Sequence, residues 1–213
     1  RHKLKIYLSH YLTNSTPLYG GKTELMIIKN SSISLGDSSN SNNLRFLNHS
    51  GTHIDFPYHF SDTGKSINDY SPAFWSFSKI HVVKVRVGID EIIDEIKLSV
   101  KTIPGKTEFL IIQTGFESNR NRNVYWKNNP GISPQLANKL KLQCPNIKVL
   151  GFDFISLSSY QNRALGRKAH IEFLVNHDIL IIEDMKLDQL VTNKIKEITA
   201  LPLLVDGIDG SPI

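Results

Sequence analysis

The chain has 213 residues, of which 40% are hydrophobic and 21% charged, a length and composition that indicate one globular domain and exclude wholesale disorder. Its net charge of +5 comes from 25 basic and 20 acidic residues scattered over many segments, which does not indicate a nucleic-acid-binding patch. No segment approaches the ~18 apolar residues of a membrane span, and the single cysteine, Cys144, excludes a disulfide framework.

Six short segments, rich in β-branched or apolar residues and bounded by turn residues, are predicted to be strands. In chain order they are Lys3–Leu8, Leu25–Lys29, Ile80–Val87, Phe109–Gln113, Val149–Phe152 and Ile179–Glu183. From Val83 onward the third segment alternates apolar and polar residues, which predicts one face in contact with water. The continuous apolar runs Phe109–Ile112 and Ile179–Ile182 are typical of strands buried on both faces.

One loop and two helices complete the predicted elements. The tract Asn30–Asn43, rich in Ser, Asn and Gly, predicts a long surface loop of the kind that often serves as a lid or binding loop. Ser133 and Pro134 predict a helix start, with a capping hydroxyl before a proline at the first helical position. A second helix is predicted over Asn162–Asn176 from apolar residues four apart. Early strands followed by alternating helix and strand predict an α/β domain of mixed strands over residues 1–213.

The segment from Asn48 to Phe60 carries the strongest chemical signal. Three histidines and an aspartate occupy odd positions there: His49, His53, Asp55 and His59. In an extended chain residues of one parity face one side, so these side chains face away from the apolar even positions, which face a core. Imidazoles and carboxylates suit divalent metals, and the pattern predicts a metal site. The alternative is a set of ordinary core or surface histidines.

Convergence of these side chains needs a bent backbone. At ~3.3 Å per residue His53 and Asp55 are close, but a straight segment would hold His49 and His59 about 33 Å apart. Gly51 permits one bend and Pro57 a second. Two histidines and one aspartate leave a coordination position open, which is typical of a catalytic metal site.

A second group lies downstream, with His170 on the predicted helix and Glu183 at the end of a predicted strand. Taken alone, they are an ordinary helix histidine and strand-end carboxylate. Beside the first cluster they predict a second metal, with Asp55 bridging, in a two-metal hydrolytic site.

The segment His49–Phe60 resembles the metal-dependent cyclase family, which includes bacterial kynurenine formamidases and isatin hydrolases. It matches the family signature His-x-Gly-Thr-His-x-Asp-x-Pro-x-His-Phe at every fixed position. The phrases Leu8-Ser9-His10, Pro130–Ser133 and Gly207–Pro212 also resemble the family, so the likeness covers nearly the whole chain. It implies a swivelling β/β/α fold with flanking helices, in a homodimer or homotetramer.

The resemblance also implies an activity: hydrolysis of a carbon–nitrogen bond in an amide, formamide or cyclic amide, arylformamidase-like, with metal-activated water as nucleophile. By motif position the first metal's ligands are His49, His53 and Asp55, those of the second include His170 and Glu183, and the general acid/base is His59. Zinc is the favoured ion and manganese the alternative, with one or two ions per chain.

The expected partner is a small-molecule substrate, with no nucleic acid or membrane, and the favoured location is the cytoplasm. We expect His10, Phe60 and Tyr70 to line the substrate pocket. The chain departs from the family pattern at Gly20-Gly21, Phe56 and Ser158, which bears on the substrate more than on the metal.

Two other functions remain open: a family hydrolase or lyase with another small substrate, and a metal-binding protein without catalysis. The presence of His59 argues against the second, because pure metal binding requires no proton shuttle.

Overall fold

The structure, a computed structural model, describes residues 5–22, 24–190 and 195–213. Its strands are β1 (Met26–Ser31), β2 (Ser41–Arg45), β3 (His53–Asp55), β4 (Ser76–Phe77), β5 (Ile80–Lys84), β6 (Ile92–Ile93), β7 (Phe109–Gln113), β8 (Gly131–Ile132), β9 (Val149–Phe152), β10 (Leu180–Glu183), β11 (Ile198–Thr199) and β12 (Gly210–Pro212). Its α-helices are α1 (Val124–Lys127), α2 (Gln135–Gln143) and α3 (Arg163–His170). Short 3-10 turns occupy many of the connections.

A six-stranded mixed sheet in the order β12-β3-β10-β9-β7-β5 forms the centre of the fold. The strands β5, β7, β9 and β10 are parallel to one another, whereas β3 is antiparallel to both β10 and β12. Phe109–Ile112 and the strand β10 are buried, as their continuous apolar sequences predict. The predicted α/β class of mixed strands is confirmed.

The hairpin β1–β2 and the pairs β4–β11 and β6–β8 form three further two-stranded sheets. The predicted loop Asn30–Asn43 is therefore wrong at both ends, because β1 continues to Ser31 and β2 begins at Ser41. These strand ends are polar, so no apolar pattern marks them in the sequence. Hydrogen bonds between side chains connect them across the hairpin: the Ser31 and Ser41 hydroxyls lie 2.6 Å apart, and the Asn43 side chain donates to that of Asn30.

The N-terminal strand prediction is wrong in its described part. Lys3 and Leu4 lie outside the described residues, and Lys5–Leu8 have no strand hydrogen bonding. This part of the chain is attached instead through the Lys186 N–H, which donates to the Leu8 carbonyl at 2.8 Å, and through an isolated bridge between Ser9 and Met185. The predicted strand Ile80–Val87 ends at Lys84, although burial still alternates beyond it.

Both predicted helices form. On α2, the residues Leu136, Ala137 and Leu140 are buried, but Ser133 does not cap the backbone, because its hydroxyl donates to the Gln135 side chain at 2.6 Å. The helix predicted over Asn162–Asn176 consists of α3 followed by a wider π-type turn over Ile171–Asn176. Among the described residues, no helix is long and apolar enough to cross a membrane.

Candidate metal centre

The histidine-rich segment, Asn48–Phe60, contributes the strand β3 to the central sheet, and the chain bends before and after that strand. Gly51 has a φ of +64°, and a Cβ there would lie 2.5 Å from the Leu12 side chain, so this bend requires glycine. Pro57 begins the 3-10 turn Pro57–His59. Ile54 and Phe56, before the turn, face the core. Tyr58 is 42% exposed, because the turn ends the alternation of buried and exposed side chains.

The side chains on the other face of β3 converge. One oxygen of Asp55 lies 2.8 Å from His49 Nδ1 and 3.4 Å from His53 Nε2. The register of the sheet adds Glu183, because β10 pairs with β3 and sets Glu183 opposite His53. Glu183 Oε2 then lies 3.4 Å from His53 Nε2.

His170 closes the cluster from the last residue of α3. Its Nε2 lies 3.5 Å from Glu183 Oε1 and 3.7 Å from Asp55 Oδ2. The structure therefore brings together all five residues named as metal ligands from the sequence, four of which are nearly inaccessible to solvent: His53, Asp55, His170 and Glu183.

The donor set fits a divalent cation. The Nδ1 atoms of His53 and His170 lie 2.8 and 2.9 Å from the carbonyls of Gly51 and Gly166, so each ring donates its Nδ1–H to a carbonyl and turns its Nε2 toward the carboxylates. The Nε2–oxygen separations of 3.4–3.7 Å exceed a good hydrogen bond. They are close to the ~3.3 Å between two ligands that each lie about 2.0–2.1 Å from one tetrahedral ion.

The charge balance supports the same assignment. The buried carboxylates of Asp55 and Glu183 are matched, among the described residues, by imidazoles and by no Lys or Arg within 4.0 Å. Burial lowers the pKa of His49, but the charge of Asp55 and hydrogen bonds to Asp209 and Asp55 raise it to about 9. A site with this negative potential attracts a cation, because buried charge is costly unless it is paired or bound to metal.

His59 lies at the edge of the cluster, where its ring is 4.0 Å from that of His49 and 30% of its side chain is exposed. A nitrogen of His59, one of His49 and an oxygen of Asp55 all lie within 4.8 Å of one another. The position is compatible with the acid/base role expected from the motif, and equally with a third metal ligand.

The three residues predicted to contact substrate do not all lie at the metal centre. Phe60 stacks on the His170 ring at 4.6 Å and lies at the centre. His10 approaches from the side, where its backbone N–H donates to Thr52 Oγ1 and its Nε2 is buried without a partner among the described residues. Tyr70 stacks on Phe56, on the core side of β3, and is not brought to the carboxylates.

Two carboxylates to which the sequence assigned no role, those of Asp184 and Asp209, support the centre. Asp184 accepts two hydrogen bonds from the Arg120 guanidinium and one from the Tyr125 hydroxyl. Its carbonyl accepts from Thr52 at 2.6 Å, which fixes the chain directly after Glu183 to the chain directly before His53. The adjacent pair Glu183-Asp184 is visible in the sequence, but its partners are not.

The second missed group is Asp209, whose carboxylate lies 3.0 Å from His49 Nε2 and 2.7 Å from His59 Nδ1. These two histidines hold the pKa of Asp209 well below its usual range. The segment Gly207–Pro212 contains this residue, and its likeness to the family is the one signal for it in the sequence.

Tyr19 also lies near the centre. Its ring packs edge-on against Tyr160 at 5.5 Å, and its hydroxyl is buried with no partner among the described residues. Burial, with a contribution from the charge of Glu183, raises the pKa of Tyr19 to about 12, so the hydroxyl keeps its proton and is available as a donor.

Known protein sequences match the chain along most of its length. The model of the Cyclase family, described as "Putative cyclase", matches residues 6–159. A kynurenine formamidase from Geobacillus thermodenitrificans strain NG80-2 is 30% identical over 211 residues, with 98% of this chain and 94% of that protein covered. Cyclase-like protein 3 from Oryza sativa subsp. japonica is 25% identical over 218 residues, with 97% and 76% covered.

Solved structures share the fold. Isatin hydrolase A from Labrenzia aggregata, bound to benzyl benzoate, superposes with a TM-score of 0.79 at 18% identity, covering 98% of this chain and 90% of that one. A structure described as a potential metal-dependent hydrolase with cyclase activity superposes with a TM-score of 0.74 at 18% identity, covering 96% and 92%.

Proposed function

Because the chain belongs to the Cyclase family, as its matches over residues 6–159 and to a kynurenine formamidase show, we propose that it is a metal-dependent hydrolase of carbon–nitrogen bonds in small molecules. The bond belongs to an amide, formamide or cyclic amide, and the chain acts as an arylformamidase does. The observation that carries this proposal is the convergence of three imidazoles on two buried carboxylates beside His59.

Two sets of side chains would hold metal: His49, His53 and Asp55 the first ion, and Asp55, His170 and Glu183 the second. A divalent ion held by such ligands lowers the pKa of water and polarises a carbonyl oxygen. We favour zinc, with manganese as the alternative, because a mixed imidazole–carboxylate set suits both ions.

The remaining chemistry falls to the chain's own residues. His59 takes a proton at its Nε2 from the attacking water and gives it to the nitrogen that leaves the substrate carbonyl carbon, so that the ring ends each turnover in its starting form. Phe60 offers an apolar ring beside His170 for a flat substrate group. The unpartnered hydroxyl of Tyr19 donates a hydrogen bond to a substrate oxygen.

The experiment that tests this function is an activity screen of the purified chain after loading with zinc or manganese. The substrates are N-formyl aromatic amines, isatin-like lactams and simple amides, with bound metal measured by elemental analysis on the same samples. We expect metal-dependent release of formate or ring-opened acid from at least one class. A chain that binds metal and hydrolyses none of them contradicts the proposal and favours a metal-binding role.

We further propose that residues 1–213 act as a single domain, that it assembles as a homodimer or homotetramer, and that it works in the cytoplasm. The assembly proposal is supported by the hairpin β1–β2, which exposes apolar side chains such as Met26, Ile28 and Leu44. An isolated two-stranded hairpin is marginal in water, and a second copy of the chain would cover these groups.

A further inference from the structure

Asp209 accepts hydrogen bonds from three side chains at one edge of the metal centre. Asn48 Nδ2 donates to its Oδ1 at 2.6 Å, while His49 Nε2 and His59 Nδ1 lie 3.0 and 2.7 Å from its Oδ2. All three partners belong to the histidine-rich segment, about 150 to 160 residues earlier in the chain.

The backbone fixes this carboxylate relative to that segment. The Phe56 N–H donates to the Asp209 carbonyl at 2.9 Å, and in the sheet β12 pairs with β3, which sets Gly210 opposite Asp55. Gly210 allows the close approach, because a Cβ there would lie 2.3 Å from the His49 ring. Asp209 is therefore placed by main-chain bonds and does not depend on its contacts with the imidazoles.

The His59 contact selects one form of that ring. A carboxylate accepts only from a protonated nitrogen, so the neutral His59 ring carries its proton on Nδ1 and leaves Nε2 as an acceptor. A free histidine prefers the opposite tautomer, with the proton on Nε2. No hydrogen bond from the described residues reaches His59 Nε2, and 30% of the side chain is open to solvent.

We propose that Asp209 is the positioning residue of the acid/base histidine: it holds the His59 ring in place with Nδ1 protonated and Nε2 available to exchange a proton with substrate. An aspartate that orients a catalytic imidazole in this way fixes both its tautomer and its direction. The catalytic consequence rests on the proposed hydrolase function, whereas the placement of the ring does not.

The first test measures the ring directly. Spectra of histidine labelled with 15N distinguish the two tautomers, and a His59→Gln variant assigns the His59 signals. We expect His59 to be protonated on Nδ1 in the unchanged chain at neutral pH and to shift toward the Nε2-protonated form in Asp209→Ala. An unchanged tautomer in Asp209→Ala overturns the proposal, whether or not the chain has any hydrolase activity.

The second test is a double-mutant cycle on kcat in the metal-loaded enzyme. Asp209→Ala is expected to lower kcat roughly 10- to 100-fold, a part of the ~100-fold or larger contribution of general acid–base catalysis, with KM changed less than about twofold. In a His59→Ala background the same change should lower kcat less than about threefold, because residues that act as a unit are not additive. Effects that multiply overturn the proposal.

Metal content separates this role from support of His49, which shares the same carboxylate oxygen. Asp209→Ala should retain its metal, and a loss of metal in proportion to the loss of activity overturns the proposal in favour of ligand support. Asp209→Asn keeps an acceptor oxygen and should recover part of kcat. The matched control is Asp206→Ala, three positions earlier in the chain, whose carboxylate accepts a hydrogen bond from Asn68 instead. If the unchanged chain is inactive on every substrate class, the hydrolase function fails while the tautomer measurement still decides the placement.

Discussion

His59 and the metal-ligand candidates differ in what their removal takes from the site. His59→Ala is expected to keep the bound metal and to lower kcat by roughly a hundredfold or more, because the leaving nitrogen then lacks its proton donor. Elemental analysis and steady-state kinetics on one preparation measure both quantities. If His59→Ala loses its metal, the triad of His49, Asp55 and His59 is the ligand set instead.

His53→Ala and Asp55→Ala are expected to show the opposite behaviour, with loss of metal from the purified protein. Each supplies a buried donor atom to the centre, and neighbouring side chains cannot replace it because they already face the same point. His81→Ala, on β5 in another part of the sheet, is the control for histidine removal and should keep both metal and activity. Full metal content in Asp55→Ala would contradict the assignment of this residue as a shared ligand.

Glu117 gives the fold a pH dependence unrelated to the metal. Burial raises the pKa of Glu117 to about 7, despite the hydrogen bond from the Leu187 N–H. The folded state therefore holds this proton more tightly than the unfolded chain, whose value is near 4.5. The free energy of unfolding consequently falls as the pH rises from about 4.5 to about 7.

Glu117→Gln should remove this fall while its amide oxygen still accepts from Leu187. We expect the variant to be more stable than the unchanged chain at pH 8 by about 1 kcal/mol, a value reduced by solvent screening of a half-exposed group. Urea unfolding at pH 5 and pH 8 measures the difference. The control is Glu197→Gln on the exposed surface, and equal gains in both variants would contradict the explanation.

Among the secondary-structure elements, α3 places His170 at the metal centre because the helix packs directly against Ser158, in the segment after β9. A Cβ on Gly166 would lie 2.0 Å from Ser158 Oγ and 2.6 Å from Ser158 Cα, so backbone as well as side chain would have to move. Ser158 Oγ in turn lies 3.3 Å from His170 Nδ1. The position of His170, a ligand of the second metal, therefore depends on the close contact between α3 and Ser158, which only a glycine at position 166 allows.

Gly166→Ala tests this packing, with two effects of opposite sign. Alanine favours a helix over glycine by about 1 kcal/mol, whereas overpacking of this kind costs about 1–3 kcal/mol. We expect net destabilisation together with weaker metal binding, measured by thermal unfolding and metal titration. Lys168→Ala, on the exposed face of the same helix, should change stability by less than about 0.5 kcal/mol. A stabilised Gly166→Ala would show that α3 can move away freely.

At the scale of the whole molecule, the hairpin β1–β2 is the element least explained by a single chain. Its register sets Ile27 opposite Leu44 and Ile28 opposite Asn43, so apolar side chains project from both of its faces. Leu44→Lys is expected to shift the assembly toward monomers, because a charge would be buried at the contact between copies. Light scattering after size-exclusion chromatography measures the mass.

Leu142→Lys is the matched control, since Leu142 is another well-exposed leucine, on α2, and should leave the assembly unchanged. A chain that is monomeric without any substitution would contradict the assembly proposal at once. Dissociation by both variants would indicate that any added positive charge disrupts the assembly, and the hairpin would lose its special role.

Those elements and chemical features that depend on neighbouring residues are predictable from the amino-acid sequence. The continuous apolar runs of β7 and β10 predicted strands that are buried on both faces, and the period of two predicted His53 and Asp55 on one face, opposite Ile54. The bends at Gly51 and Pro57 were predictable because the conformational freedom of glycine and the restriction of proline act locally. Tyr58 does not follow the alternation of buried and exposed side chains, because the 3-10 turn begins at Pro57.

The resemblance to the family assigned His170 and Glu183 to the second metal, but the contacts that join these distant segments, and those of Asp209 above all, follow from the folded chain alone. Sheet order brings Glu183 beside His53 and Asp209 beside His59, and these pairs lie 130 and 150 positions apart. No local pattern encodes such a pairing, because hydrophobic period and turn chemistry describe only adjacent residues. The two ends of the predicted loop belong to the hairpin β1–β2 for a related reason. The two strands pair with each other, and side chains such as Ser31 and Ser41 meet across the pair only once the chain has folded back on itself.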